Sequence, residues 1–312
     1  MKFHRQSSRQ LDVQVVGTGL VALDRIHIDM DAPLFEELGG SCGNVLISLA
    51  MLGRSVIPVL RLGTDPVGAR LELELRLAGA DTSLVSRCVD VRSPVIVEHL
   101  DVASSDHSFS FVCPNSAERF GSYQSITLAE LEPARPTVSS CSVFYADRIS
   151  DTICNAMEAA AAGGAIVLFE PSDISDPDLF DRALSIAHVF KYSVDRLPSD
   201  VAEKFRTEGF SIVTSGRSGL EVRHDGKVHR FEALHVDVVR DTCGAGDMVT
   251  LGLLDTIIKS HVDGLGALSI STVLAGVRSG QRLAAANCAY IGARGLFRER
   301  GPDHVRELLA FA

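Results

Sequence analysis

The residues of this chain best suited to chemistry form one run, Asp241-Thr242-Cys243-Gly244-Ala245-Gly246-Asp247, followed by an apolar helical pattern from Met248 to Ile258. Small side chains at a helix start let backbone N–H groups close on an anion, and the helix dipole adds roughly half a positive charge there. The pattern describes a phosphate cradle. Asp247 sits beside it, and a carboxylate next to a phosphate is costly unless it binds a metal or accepts a proton. The plain alternative is a Gly-rich turn capped by aspartate. No G-x-x-x-x-G-K-[ST] occurs, so a nucleotide phosphate here would be held without a Walker lysine.

Two further glycine clusters precede it. Gly39-Gly40-Ser41-Cys42-Gly43-Asn44 leads into a helical pattern ending at Gly53. Paired glycines allow close backbone approach to a small polar ligand, and Asn44 would either bond that ligand or cap the helix. Taken alone, the segment favours the cap. Gly17-Thr18-Gly19-Leu20-Val21-Ala22 matches the G-x-G-x-x-A of a dinucleotide site, which requires a helix next and an acid on the following strand. The chain instead runs through the strand-like Asp24 to Asp29 and reaches Pro33, favouring a tight turn over an oxidoreductase site. His107, Cys113 and Cys141 are too irregularly spaced for a metal motif and read as structural or surface residues.

These segments need a frame. The β-branched runs Val13 to Val16, Val56 to Leu60, Ile166 to Phe169 and Ile212 to Thr214 read as buried strands, and Val236 to Val239 is strand-like. Helical patterns cover Asn44 to Leu52, Leu71 to Leu77, Asp151 to Ala162 and Asp178 to Ala187. Such alternation predicts an α/β fold with a mainly parallel sheet covered on both faces. Pro94 to Val112 departs from it: two extended runs around Ala103 to Asp106 predict a hairpin, either a flap over the sheet or an ordinary edge. With no repeat or linker, a single domain over residues 1–312 is expected.

Composition narrows the partners. Lys+Arg 30 against Asp+Glu 40 gives a net charge of −10, which argues against nucleic acid or anionic lipid. Seven cysteines without a C-x-x-C pair predict neither disulfides nor zinc and suit a reducing cytoplasm. MKFHRQSSRQ has no apolar segment behind it, and Ala159 to Phe169 is about half the ~20 residues a membrane span requires. Neither signal peptide nor membrane helix is expected, and the N-terminus should be loose.

With both helix starts in this order, the chain resembles the ribokinase-like (PfkB) carbohydrate kinases. That family's signatures are a Gly-Gly…Asn helix start and a late Asp-Thr-x-Gly-Ala-Gly-Asp turn, matched here by Gly39, Gly40 and Asn44 and by Asp241 to Asp247. Gly19 to Asp24, Gly63-Thr64-Asp65-Pro66-Val67-Gly68, Thr214-Ser215-Gly216 with Gly219, and Ala286-Asn287 resemble its secondary motifs. The resemblance implies a three-layer Rossmann-like sheet of about eight or nine strands with helices on both faces. It also implies a small β lid, drawn roughly from 25–38 and 94–112. ATP-dependent phosphorylation of a hydroxyl on a sugar or sugar-like molecule would follow, with Mg²⁺ and a monovalent cation such as K⁺. Asp24, Gly39, Gly40 and Asn44 would hold substrate hydroxyls; Gly244, Ala245 and Gly246 would form the anion hole, with Asp247 as general base. Thr214, Gly216, Gly219 and Asn287 would flank the nucleotide, and Asp241 and Thr242 the monovalent ion.

The chain departs from the family at several positions. Leu46 stands where a small residue is usual, and Glu170 ends a strand where Asp is common. The family's N-x-x-E is replaced by Lys191-Tyr192-Ser193-Val194-Asp195-Arg196, leaving Asp195 as the metal-side acid. A homodimer through the lids is a further family-based expectation. Two alternatives stay open: a nucleoside kinase of the same family, with Phe109, Phe111 and Phe120 as pocket walls, and a non-catalytic sugar-binding sensor. A sugar phosphate acceptor would want Arg25, Arg92 and Arg119 to converge.

Overall fold

The structure, a computed structural model, describes residues 14–28, 34–101, 106–114, 116–260 and 265–310. The chain begins with β1 (Gln14–Thr18), β2 (Ala22–His27), β3 (Phe35–Gly39), α1 (Ser41–Met51), β4 (Ser55–Pro58), β5 (Leu60–Gly63), α2 (Pro66–Ala78) and β6 (Val85–Cys88). It continues through β7 (Val95–Asp101), β8 (Asp106–Ser110), α3 (Leu128–Ser140), β9 (Val143–Ala146), α4 (Asp151–Ala162), β10 (Ile166–Phe169), α5 (Pro177–Ile186) and β11 (Val189–Ser193). The last part holds β12 (Phe210–Thr214), β13 (Leu220–His224), β14 (Lys227–Phe231), α6 (Ala245–Lys259), α7 (Ile270–Asn287) and α8 (Gly295–Ala310).

The main sheet has eight strands in the order β14-β13-β12-β11-β10-β9-β1-β4. β4 through β12 run parallel and the last hairpin closes the far edge antiparallel. Its central strands are short apolar runs because both faces are covered, which suppresses the polar half of the strand period. Successive side chains still go to opposite layers. Val15, Tyr145 and Leu168 cluster with the apolar residues of α1, α6, α7 and α8, whereas Val16, Phe144, Val167 and Phe169 cluster with those of α3, α4 and α5. This is the expected three-layer α/β architecture.

A second sheet, ordered β3-β2-β7-β8, carries the stretches expected to form the lid. β2 and β7 pair in parallel, and each takes an antiparallel outer neighbour. The run after Gly17-Thr18-Gly19 is therefore strand β2, so the apparent dinucleotide fingerprint lacks the helix that would complete it. Val236 to Val239 forms no strand; β14 is the edge of the sheet and this segment does not pair with it. The N-terminal ten residues, the middle of the first lid stretch and the turn at 103–105 lie outside the described residues.

Candidate active site

The parallel strands end along one rim, where open α/β sheets bind ligands. Three of them deliver charged side chains there: Asp147 follows β9, Glu170 follows β10, and Lys191 lies within β11. Asp147 is fully buried and accepts hydrogen bonds from the Leu20 amide (2.9 Å) and the Cys42 amide (3.0 Å). It ties the exit of β1 to the start of α1, with the Arg148 guanidinium 3.2 Å away. The buried Lys191 ammonium pairs with Glu170 Oε1, and Glu170 Oε2 accepts from the Thr250 hydroxyl (2.6 Å) and the Tyr145 hydroxyl (3.2 Å).

Above this rim stands the start of α6. Its N-cap is Gly244, whose positive φ of 71° would strain any other residue and whose missing side chain leaves room for Ala293 2.6 Å from a Cβ position. No side chain caps the helix, and the first intrahelical bond runs from the Met248 amide to the Gly244 carbonyl. The amides of Gly246 and Asp247 precede that bond and lack partners within the helix. The Ala245 amide is used differently from expectation, since it closes a turn on the Thr242 carbonyl (3.2 Å). Lys191 lies beneath this helix start, its Nζ 3.7 Å from where a Gly246 Cβ would be. A negatively charged group would thus meet helix amides and a fixed ammonium together.

Asp247 faces the glycine-rich start of α1. The N-cap there is Gly40, not Asn44, so the capping role is overturned: Asn44 lies one turn inside the helix and donates from Nδ2 to Asp247 Oδ2 (2.8 Å). Desolvation first and the Glu170 carboxylate second push Asp247 up to about 7, against the Asn44 hydrogen bond and Lys191. Asp24 reaches the same place from β2. Burial and Glu37 push it up to about 8, with Arg294 and the Gly40 amide opposing. Gly39 makes that position possible, because a Cβ there would fall 1.7 Å from Asp24 Oδ2. Asp24 Oδ1 and Asn44 Oδ1 are buried without hydrogen-bond partners. Unbonded buried acceptors beside a near-neutral carboxylate suit a ligand that brings hydroxyl donors.

The other predicted residues divide. Thr214 ends β12 with its hydroxyl on the Tyr192 carbonyl (3.3 Å), and Gly216 and Gly219 bound the short turn that follows. Asn287 is buried; its side chain donates to the Gly292 carbonyl (3.2 Å) and accepts from the Leu296 amide (2.9 Å), bracing the turn into α8. Asp195 lies exposed just past β11, with Ser193 Oγ 3.3 Å from its carboxylate. Asp241 is fully buried and accepts from the Cys243 amide (2.8 Å) and the Gly292 amide (2.7 Å), with Thr242 exposed next to it. Asp147 and Lys191 were not singled out as site residues by the sequence. Their signals are faint: an acid just past a strand, and a lysine inside an otherwise apolar one.

A pfkB family carbohydrate kinase model matches residues 36–297. A fructokinase of Escherichia coli is 28% identical over 248 residues, which cover 72% of this chain and 78% of that protein. A 2-dehydro-3-deoxygluconokinase of Bacillus subtilis is 23% identical over 249 residues, 72% of this chain and 75% of that protein. Among solved structures, a fructokinase with bound ATP from Xylella fastidiosa superimposes with a TM-score of 0.77 at 21% identity, covering 96% of this chain and 99% of that one. An aminoimidazole riboside kinase from Salmonella enterica, complexed with aminoimidazole riboside and an ATP analog, gives 0.73 at 19% identity, covering 95% and 99%.

Proposed function

The chain belongs to the pfkB family of carbohydrate kinases, phosphotransferases acting on a sugar hydroxyl, and we propose that it transfers the γ-phosphoryl group of ATP to an uncharged sugar or similar polyol. The observation that carries this reading is the pair of buried unbonded oxygens, Asp24 Oδ1 and Asn44 Oδ1, beside Asp247 at the uncapped start of α6. Asp24 and Asn44 would accept bonds from the acceptor's hydroxyls, with Gly39 and Gly40 giving its ring close approach. Asp247 would take the proton of the attacking hydroxyl, a task suited to a carboxyl poised near pH 7. The amides at Gly246 and Asp247 and the Lys191 ammonium would stabilise charge on the transferring group.

Thr214, Gly216 and Gly219 are proposed to border the nucleotide. Mg²⁺ keeps much of its water and typically takes only one or two protein carboxylates plus phosphates. The solvent-exposed Asp195 would fit that modest role, and the ion would supply further neutralisation of phosphate charge. The preference for an uncharged acceptor follows from the walls. Asp24, Asp147 and Glu37 are acids, and the arginines around them are engaged. Arg294 meets Glu37 and the Leu38 carbonyl, and Arg25 meets Glu36. Arg92, which a phosphorylated sugar would need, is paired with Glu118.

ADP release with Mg²⁺ and ATP against neutral sugars, sugar phosphates, sugar acids and nucleosides tests the proposal. Neutral sugars should stimulate ADP release and Asp247→Asn should abolish the stimulation. Stimulation by sugar phosphates alone would overturn the acceptor class, and unaltered turnover in Asp247→Asn would overturn the assigned base.

A further inference from the structure

A second cluster of ligating groups lies where the smaller sheet meets the loop before α6. One donor atom each from Glu98, His107 and Asp241 falls within 4.8 Å of the other two. The antiparallel ladder pairs Glu98 with Phe109 and Leu100 with His107, so Glu98 and His107 are diagonal neighbours on one face. The parallel ladder pairs Glu98 with Ile26 and Ile96 with Asp24, which places Asp24 on that face too.

Glu98 is 1% exposed, and neither of its oxygens makes a hydrogen bond of regular geometry, with the Cys243 thiol and the Asp241 carboxyl beside it. Its principal charged neighbours are the acids Asp241 and Asp24. His107 Nδ1 is also buried and unbonded, 3.6 Å from Asp241 Oδ1. Asp241 is held rigidly by its two backbone amides, yet each carboxylate oxygen keeps lone-pair capacity. Three preset donors, two of them offering buried atoms without hydrogen bonds on Glu98 and on the partly exposed His107, cost free energy unless something neutralises and bonds them.

We propose that Glu98, His107 and Asp241 bind a divalent transition-metal ion of the Zn²⁺ type, with water completing the coordination, and so clamp the small sheet to the loop that leads into Asp247. Donors in a tetrahedral site with bonds of about 2.0–2.2 Å lie about 3.3–3.6 Å apart, which matches the imidazole-to-carboxylate spacing. An imidazole nitrogen among carboxylates selects a borderline ion over Mg²⁺ or K⁺, which prefer oxygen alone. The site shares Asp241 with the run that ends in Asp247 but lies apart from the helix amides at Gly246 and Asp247, and it does not depend on the kinase reading.

The test uses the full chain, stripped with chelator and titrated calorimetrically with Zn²⁺, in parallel with Mg²⁺ and K⁺. Wild type and His235→Ala, a control at an exposed histidine, should each bind one equivalent of Zn²⁺. Glu98→Gln and His107→Gln should bind it more than about 10-fold more weakly. Absence of stoichiometric Zn²⁺ binding by wild type, or equal binding by the variants, overturns the site. The Co²⁺ spectrum of wild type needs no variant to fold: nitrogen and oxygen ligation without a thiolate charge-transfer band is expected. Such a band would move the ion to a cysteine and overturn the donor set.

Discussion

At the scale of single residues, the chemistry turns on the protonation of Asp247. Its carboxyl is pushed to about 7 by enclosure and by Glu170, and the Asn44 hydrogen bond restrains that rise. A base must be ionised to accept a proton, so kcat/KM should climb with pH and level off above about 7. Asn44→Ala removes the restraint, and its ascending limb should move to higher pH as acceptor binding weakens. A limb that stays in place or moves down in the pH–rate profile would contradict the coupling. Asp247→Asn should lower kcat by about 10²- to 10⁴-fold with an unchanged circular dichroism spectrum. Asp247 and Asn44 stood out in sequence because each lies at the end of a dense run of glycines, whereas Asp24 was marked only by the family resemblance. Asp147 did not stand out, because the amides it serves belong to Leu20 and Cys42, more than a hundred positions away, and no local pattern marks them.

At the scale of elements, two of the three strands that carry the rim, β9 and β11, were not legible in the sequence. β10 was read within its observed bounds because Ile166 to Phe169 is an unbroken apolar run. β11 was passed over because Lys191 interrupts Val189 to Ser193, and periodicity alone treats a charge as exposed. Tertiary structure decides otherwise, since the Lys191 ammonium finds Glu170 at the end of the neighbouring strand. Removing one partner of a buried pair leaves a charge without compensation, so Lys191→Met should cost about 3–5 kcal/mol in urea unfolding. Adding Glu170→Gln should restore much of that stability while turnover stays low. A double variant no more stable than the single one would show that the pair is not the source of the loss. Asp147→Ala should act between elements, because it leaves the Leu20 and Cys42 amides unbonded where β1 meets α1. The expected signature is a raised KM for the acceptor with a smaller change in KM for ATP.

At the scale of the whole molecule, the α/β class followed from alternation along the chain, and the β7–β8 hairpin from the two extended runs that break it. The order of the eight strands did not, because it is fixed by which helices cover which face. That burial gathers acids of raised pKa in one region, with a consequence for stability. Asp24 and Glu98 are pushed to about 8 and Asp247 to about 7, mainly by desolvation, against 3.8 for an ordinary Asp and 4.5 for an ordinary Glu. The folded state therefore binds protons that the unfolded chain has released. The stability these groups lend is complete below about pH 4 and is lost as pH rises through 7 and 8. His188 works the other way. Burial and then Arg206 push it from 6.5 to about 4, and its Nδ1 accepts from the Val167 amide (2.9 Å), so it adds stability as pH rises from about 4 to about 6.5. Below pH 6.5 the two contributions oppose each other, while above it only the acids change. The melting temperature of the chelator-treated protein should therefore fall between about pH 6.5 and 8.5, and Asp24→Asn should make that fall shallower. The net charge of −10 adds self-repulsion as well, but the substitution alters it by at most one unit, so the difference in slope reports Asp24. Calorimetric melting of both proteins across that range measures it, and parallel slopes would show that Asp24 is ionised in the folded chain.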